Sequence, residues 1–320
     1  MSKQQDTMPN LSELQLQLQQ ALALIENNNI NKPDVALTDL RSFHHTESLL
    51  QRCEQVVQAS QPQKPILRII HHFACSGGTL ISKCIAAQPN VFLLSELHPT
   101  TRLGFNANKG TYTPRDVITQ ALYSQIPEVD KLAEQLFVEN IIATEKHVRE
   151  RGGYLVIRAH THADYCTTIE IPEVDTISRL LSPHFEIKNV ITLRNPIDSF
   201  SSLRKNGWVH FEPDNFDEYC KRLYNFLKGF DFGDVFRYED FVIDPIPHMK
   251  RMCGAYSLQL NDMFEDVFSQ FIVSGDSGRS SDLIGVRDRV ELPSSDICIM
   301  KQSYWFKKLA KDYNYLEESS

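Results

Sequence analysis

The sequence of 320 residues predicts an α/β fold, with helices on both sides of a doubly wound, mainly parallel sheet. Three short apolar runs rich in β-branched residues, at 66–73, 154–158 and 187–193, have the length and composition of buried strands. After a turn or loop, each run is followed by a segment in which apolar side chains recur at helical spacing. Strands that alternate with helices in this way predict parallel pairing through crossover connections.

Composition limits the classes of function. A hydrophobic content of 42% with 10% aromatic residues is enough for a sizeable core, and a formal net charge of -8 argues against nucleic acid or an anionic membrane as the main partner. No run is long enough for a transmembrane helix, and the polar start has no signal-peptide core. Seven widely spaced cysteines without a Cys-x-x-Cys pair suit a reducing compartment. We therefore expect a cytoplasmic protein.

Residues 1–62 differ in character from the rest of the chain. Leucines lie among glutamines there, and two helical segments are predicted before the proline-containing break at 61–65. We predict a helical amino-terminal extension over 1–62 and an α/β domain over 63–320. The extension is expected either to pack on the main domain or to form a homodimer through its helices.

The first predicted strand runs directly into a glycine turn and a helix. A strand, a glycine turn and a helix N-terminus point free backbone N–H groups at one spot, and an anionic phosphate is what such a spot binds best. The turn lacks the Gly-Lys-Ser/Thr ending of a P-loop nucleotidase, so that motif is not matched. The candidate phosphate-binding residues are Cys75, Ser76, Gly77, Gly78, Thr79 and Leu80.

A second candidate anion site follows the strand at 187–193. Between the two sites the sequence predicts a loop at 99–110 and helices at 115–123, 128–150 and 174–182. Arg194 stands at the carboxyl end of the strand, and Ser202 lies eight residues later in a helix predicted over 197–205. A guanidinium group can clamp a phosphate with two hydrogen bonds, and a hydroxyl group on the following helix can complete the site.

The carboxyl-terminal part is predicted to be mainly helical. A helix from 216 carries an aromatic stripe that we expect to lie in the core, and a strand at 235–238 follows it. Further helices are predicted at 246–257, 261–272 and 299–312. A loop at 274–289, rich in glycine, serine and arginine, separates the last two.

The two anion sites resemble those of the PAPS-dependent sulfotransferases, with this chain as a bacterial member, and the resemblance spans residues 65–290. It implies a P-loop-like sheet of the sulfotransferase type, with PAPS (3′-phosphoadenosine 5′-phosphosulfate) as sulfuryl donor and PAP as product. The turn at 75–79 would hold the 5′-phosphosulfate, whereas Arg194 and Ser202 would hold the 3′-phosphate. In the family a carboxyl-terminal loop closes over the 3′-phosphate, and its counterparts here are Ser277, Gly278 and Arg279.

The resemblance also implies a base near the group that accepts the sulfuryl group. Arg158-Ala159-His160 resembles the Lys-x-His segment of the cytosolic sulfotransferases, in which the histidine is the base. Arg158 is then expected to steady the transferred group. Glu96 lies where the protein-tyrosine and some carbohydrate sulfotransferases place a catalytic glutamate, so His160 and Glu96 remain alternatives.

The sequence departs from the family at Cys75, where a Lys or Arg is usual. The change removes a positive charge from the phosphosulfate site, and Arg68, Lys83 and Arg158 are the candidates to replace it. His160-x-His162 could in principle supply two metal ligands from one strand face. No spaced cluster supplies the further ligands, so no metal is expected.

The function predicted from these residues is sulfuryl transfer from PAPS to a hydroxyl or amine of a small-molecule or carbohydrate acceptor. Two alternatives remain open. An ATP-dependent kinase with a related sheet would need a lysine in the glycine turn, and the turn has none. A non-catalytic module that binds PAP is favoured by the uncharged Cys75.

Overall fold

The computed structural model describes residues 64–106, 108–275, 283–286 and 294–315, together with Leu16, Gln19, Gln20 and Ala23. The chain divides into two units, Met1–Lys64 and Pro65–Ser320, and every element named below belongs to the second. In the first unit, Leu16, Gln19, Gln20 and Ala23 are helical and exposed. The predicted helical segments over 1–62 and the homodimer through them otherwise lie outside the described residues and stay predictions.

Five parallel strands form one sheet in the order β2-β3-β1-β4-β5. They are Ile66–His72 (β1), Val91–Leu97 (β2), Tyr154–Ala159 (β3), Glu186–Leu193 (β4) and Val235–Arg237 (β5). The apolar runs that predicted the strands are buried on both faces, as a parallel sheet covered by helices requires. The predicted α/β class with a parallel sheet flanked by helices is confirmed.

The described residues form helices close to those predicted. These are Gly78–Ala86 (α1), Val117–Tyr123 (α2), Val129–Arg149 (α3), His162–Tyr165 (α4), Thr176–Leu181 (α5), Pro196–Lys205 (α6), Phe216–Leu227 (α7), Tyr238–Ile243 (α8), Pro245–Tyr256 (α9), Phe264–Val267 (α10), Ser294–Gln302 (α11) and Tyr304–Asp312 (α12). Proline at the first turn of α6, with Asn195 accepting a hydrogen bond from the Ile197 N–H, explains where that helix begins.

Two of the predicted helices were wrong in their extent. The segment predicted as one helix over 261–272 is the short α10 followed by a 3₁₀ turn, Phe268–Gln270. The segment predicted over 299–312 is two helices, because Ser303 has an extended backbone and its hydroxyl caps α12 by accepting from the Phe306 N–H. The strand predicted over 235–238 ends one residue early, since Tyr238 begins α8.

The sheet lies between two helical layers. Along β1, Leu67 and Ile69 pack with α3 and α5, whereas Ile70 faces the opposite layer and packs with α1 and α9. A third cluster joins α6, α7 and α12 around Phe73, just beyond the end of β1. The aromatic stripe of α7 is buried in this cluster, as predicted.

The position of β1 in the sheet sets the position of the site. β1 pairs with β3 on one side and β4 on the other, so the connections that follow these strands leave in different directions. In open parallel sheets, ligands bind at such a point, at the carboxyl ends of the strands. Here that edge collects the glycine turn after β1, His160 after β3 and Arg194 after β4.

Candidate active site

A cavity of about 870 Å³ opens at this edge of the sheet. Sequence positions from 72 to 275 contribute to its walls, which brings the two predicted anion sites and both candidate bases into one space. The predicted site residues that line it are Cys75, Gly77, Gly78, Thr79, Leu80, Glu96, Arg158, His160, Arg194 and Ser202. Ser76 does not line the cavity, and Ser277, Gly278 and Arg279 lie outside the described residues.

The glycine turn presents a row of backbone donors to the cavity. Among the described residues, the N–H groups of Gly77, Gly78, Thr79 and Leu80 have no hydrogen-bond acceptor. They are the orphan donors of the first turn of α1, and Gly77 has the left-handed φ of 83° that turns the chain into the helix. A cluster of unsatisfied N–H groups at a helix N-terminus attracts an anion.

Tight packing beneath the turn leaves no room for side chains at its glycines. A Cβ on Gly77 would lie 2.2 Å from the Tyr238 ring, and one on Gly78 would lie 2.5 Å from the His72 ring. Ser76 also belongs to this supporting layer, because its N–H donates to the Phe73 carbonyl and its hydroxyl is 3.0 Å from that of Thr192. The candidate anion donors are therefore the N–H groups of residues 77–80, without Ser76.

The two candidate bases form one hydrogen-bonded group. Glu96 Oε2 lies 2.5 Å from His160 Nδ1, and Glu96 Oε1 lies 2.6 Å from an Arg158 guanidinium nitrogen. His72 Nε2 is 3.2 Å from the same carboxylate oxygen. Glu96 and His160 are thus neighbours, and the described residues offer no partner for the other ring nitrogen of His160.

The charges of His72 and Glu96 follow from the effects of burial and of their neighbours on their pKa values. Burial, aided by the Arg158 guanidinium, lowers the pKa of His72 to about 4, so its ring is neutral at pH 7. Burial alone would raise the pKa of Glu96, but the facing His72, His160 and Arg158 side chains outweigh it and hold that pKa well below its ordinary value. The Glu96 carboxylate is therefore ionised, and the permanent charge of Arg158 balances it.

Arg158 also ties this group to neighbouring elements. Its guanidinium donates to the Ser95 hydroxyl at 3.2 Å, to the Ser274 carbonyl at 3.0 Å and to the Thr79 hydroxyl at 3.3 Å. Gly275 follows Ser274 and packs so closely on Glu96 that a Cβ there would lie 2.3 Å from Glu96 Cγ. Arg158 therefore joins the glycine turn, β2 and the start of the carboxyl-terminal loop.

The residues of the second candidate anion site lie next to the turn. An Arg194 guanidinium nitrogen donates to the Cys75 carbonyl at 3.4 Å, and the group lies 5.4 Å from the centre of the Tyr238 ring. Ser202, on α6, also faces the cavity, and its hydroxyl donates to the Asp198 carbonyl at 2.9 Å. A phosphate placed here would accept that hydroxyl proton in place of the Asp198 carbonyl.

Cys75 brings no positive charge to the turn. Burial raises the pKa of its thiol to about 11, so the side chain is neutral at pH 7. Of the three cations suggested as replacements, only Arg158 lines the cavity. Arg68 is a buried residue of β1, and its Nε donates to the Tyr256 carbonyl at 2.7 Å. Lys83 lies on α1 but is not among the described residues that line the cavity.

Several residues that line the cavity were not among the predicted cofactor-binding and catalytic residues, although His162 was considered as a metal ligand. They are His72, Ala74, Thr101, Arg102, Leu103, Gly104, His162, Lys205, Asn206, Trp208, His210, Tyr238 and Gly275. Lys205 could have been found from its spacing, since it lies three residues after Ser202 and so on the same face of α6. The contribution of His72 depends on how β1 meets α1, which no local pattern shows. The described residues contain no cluster of His, Cys, Asp and Glu side chains fit to hold a metal ion.

Comparison with known proteins finds resemblances at the level of solved structures. No protein-family model and no curated protein matches the chain. A sulfotransferase domain from the curacin biosynthetic pathway matches with a TM-score of 0.44 and 17% identity, covering 75% of this chain and 98% of its own. A sulfotransferase domain from the Synechococcus PCC 7002 olefin synthase matches with a TM-score of 0.45 and 16% identity, covering 79% of this chain and 96% of its own.

A third match is the mouse sulfotransferase SULT7A1, solved in complex with PAP. It has a TM-score of 0.44 and 12% identity, and it covers 81% of this chain and 90% of its own. All three structures are sulfotransferases, which is the family that the sequence resembles. Because each TM-score is below 0.5, these likenesses carry no weight for function, which is inferred from the site itself.

Proposed function

We propose that this protein is a sulfotransferase that moves a sulfuryl group from PAPS to a hydroxyl or amine acceptor. One observation supports the proposal: a single cavity is lined by two separate groups of candidate anion donors and by the hydrogen-bonded Glu96 and His160. The first anion site is the set of free N–H groups at residues 77–80, and the second is Arg194 with Ser202. PAPS carries anionic groups at two separate positions, whereas ATP carries its phosphates in one chain.

The residues present fit this cofactor by their chemistry. Backbone N–H groups at a helix start suit the 5′-phosphosulfate, and an arginine with a nearby hydroxyl suits the 3′-phosphate. When bound, PAPS supplies an activated sulfuryl group: the acceptor atom bonds to sulfur as the bond from sulfur to the phosphate oxygen breaks and PAP leaves. The N–H groups of 77–80 stabilise the charge that develops on the leaving phosphate.

His160 is assigned as the general base. Its Nδ1 is engaged by the Glu96 carboxylate, which fixes the proton on Nδ1 and leaves Nε2 to take the acceptor proton. Glu96 positions the ring and stabilises the imidazolium that forms, while Arg158 holds Glu96 in place. The roles left as alternatives by the sequence thus become those of a base and its positioning residue.

The acceptor is proposed to enter between two rims of the cavity. One rim is the loop at 101–104, and the other runs from Lys205 to His210 and carries Trp208. The aromatic face of Trp208 and the polar groups around it suit a small molecule or a carbohydrate that presents a hydroxyl or amine.

Within the described part of the chain, no helix is long and apolar enough to cross a membrane.

A reducing compartment such as the cytoplasm is the location that we propose. The six cysteines of the described residues are all free thiols, and four of them, Cys84, Cys166, Cys220 and Cys253, are buried. Free thiols kept in a core are the usage expected where disulfides do not form.

The test of the proposed function is PAP release from PAPS in the presence of pooled hydroxyl and amine acceptors. We expect the wild type to release PAP with at least one pool, and His160→Ala and Glu96→Gln to slow release by about 100-fold. Both variants should still bind PAP, and the exposed His147→Ala should behave as wild type.

The outcomes separate the candidate functions. A wild type that binds PAP but releases none with any pool would instead support the non-catalytic PAP-binding module. Activity that survives in His160→Ala and is lost in Glu96→Gln would make Glu96 the base.

A further inference from the structure

The glycine turn is short of positive charge for the group that it is proposed to hold. A phosphosulfate carries more than one negative charge, and the turn offers it only neutral N–H donors. Cys75, within the turn, is a neutral thiol. An anion in a partly enclosed cavity needs a cation nearby, because burial without one is unfavourable. The cation has to come from another element.

The described residues provide four cations on the cavity wall: Arg102, Arg158, Arg194 and Lys205. Two of them are already matched by carboxylates, since Arg102 lies 2.6 Å from Asp130 and Arg158 lies 2.6 Å from Glu96. Arg194 and Lys205 have no acidic partner among the described residues. Arg194 belongs to the proposed 3′-phosphate site, which leaves Lys205.

Three of the four histidines that line the cavity, His72, His160 and His162, do not supply this charge. Burial lowers the pKa of His72 to about 4, and burial together with His160 and His210 lowers the pKa of His162 to about 3. Both rings are therefore neutral at pH 7. His160 Nδ1 lies 2.5 Å from Glu96 Oε2, and His160 already has the role of the proposed general base.

The end of α6 brings Lys205 to the side of the turn where charge is missing. The amide of Asn206, the next residue, lies 3.9 Å from Cys75 Sγ. Lys205 is the last residue of α6, is exposed and lines the same cavity as the turn. It also shares a helix face with Ser202, one turn earlier. The end of α6 thus lies against Cys75, and Lys205 is an exposed cation on the wall of the cavity that the turn also lines.

We propose that Lys205 binds the 5′-phosphosulfate and supplies from α6 the positive charge that the glycine turn lacks at Cys75. This inference rests on the proposed function. α6 then serves both ends of the cofactor, with Ser202 on the 3′-phosphate and Lys205 on the 5′ side. The two roles can be separated because each depends on a different phosphate of the ligand.

The experiment measures the affinities of two ligands, PAP and adenosine 3′-phosphate, by calorimetry. If one ligand binds too weakly for direct titration, its affinity is measured by competition against PAP. Lys205→Met keeps most of the apolar stem and removes the charge. We expect it to bind PAP about 10- to 100-fold more weakly than wild type and to bind adenosine 3′-phosphate unchanged. Lys221→Met on α7, an exposed lysine away from the cavity, is the matched control.

A second variant tests the position of the charge. Cys75→Lys in the Lys205→Met background should restore most of the lost PAP affinity, with melting temperature as the check on folding. Equal loss for both ligands, no loss for PAP, or no restoration in a folded double variant would each overturn the assignment. Failure of the proposed PAP site itself looks different, because then the wild type binds no PAP at all, and failure of sulfuryl transfer alone leaves the PAP affinities of these variants unaffected.

Discussion

At the scale of single residues, the site depends on the partners of one largely buried carboxylate, that of Glu96. Glu96 is in contact with a permanent cation, Arg158, and with two histidines that differ in role. Its backbone has a left-handed φ of 58°, which is strained for a residue with a side chain. The strain occurs at an irregularity in the pairing of β2 with β3, and it aims the carboxylate at the cavity. Such strain is often concentrated where a side chain must be held in place for function.

Acid should destabilise the fold through His72. Its pKa is about 4 in the folded protein against an ordinary 6.5, so between these values the unfolded chain binds a proton that the folded protein does not. The free energy of unfolding therefore falls as pH falls from 6.5 towards 4, by up to about 3 kcal/mol from this residue. Urea unfolding at pH 7, 6, 5 and 4 measures it.

The His72→Gln variant should show a shallower fall over this range than wild type. The exposed His147→Gln is the control and should keep the wild-type slope. His162, whose pKa is also lowered, leaves a residual pH dependence in both variants. Parallel curves for wild type and His72→Gln would contradict the account of a buried neutral ring.

At the scale of elements, the start of α1 is the proposed anion site because the N–H groups of its first turn are left without acceptors among the described residues. The helix follows β1 so closely that its glycines lie against His72 and Tyr238. Packing and binding therefore impose the same requirement on this turn: a side chain at Gly78 would displace the ring that supports Arg158 and Glu96. His72 therefore contacts both the turn and Glu96, the partner of His160, so a change at the turn also affects these two residues.

Gly78→Ala should lower stability by about 1–3 kcal/mol, because the added methyl group would lie 2.5 Å from the His72 ring. It should also weaken PAP binding by distorting the turn. Gly254→Ala is the matched control in α9, since a Cβ there meets nothing within 4 Å and alanine favours the helix. Thermal unfolding and calorimetry would measure both effects, and equal melting temperatures for the two variants would disprove this explanation.

The elements themselves could largely be predicted from the sequence. Strands β1, β3 and β4 are short, mainly apolar segments rich in β-branched residues, and this pattern has few other interpretations at that length. The break between α11 and α12 was missed because the cap at Ser303 replaces one helical turn without interrupting the apolar spacing. Local sequence predicts helix propensity well, but it predicts a cap poorly when the helices on both sides have the same spacing of apolar residues.

At the scale of the whole molecule, the sheet order brings together residues that lie far apart in sequence. Glu96 and His160 are 64 residues apart and meet because β2 pairs with β3. The sequence predicted each as a candidate but left them as alternatives, since pairing between strands is not visible in either segment. The placement of Lys205 beside the turn has the same cause, as α6 follows β4, a neighbour of β1.

The candidate site was accordingly predicted in part. The glycine turn and the Arg194–Ser202 spacing are local patterns, and both were identified from sequence before the cavity was known. Ser76 was placed in the site by its neighbours, yet its hydroxyl points to Thr192 on β4. The direction in which each side chain of a turn points cannot be predicted from sequence, because a turn has no fixed period as a helix or a strand has.

Calorimetric titration with PAP and then ATP, on wild type and Arg194→Ala, tests the central claim that the cavity binds two separate anionic groups. We expect wild type to bind PAP at least tenfold more tightly than ATP, and Arg194→Ala to lose that preference by weakening PAP alone. Arg204→Ala changes an arginine of α6 that is paired with Asp214 and does not line the cavity, and this variant should bind as wild type. Equal affinity for PAP and ATP, unchanged by the loss of Arg194, would mean that no 3′-phosphate site exists and would contradict the account.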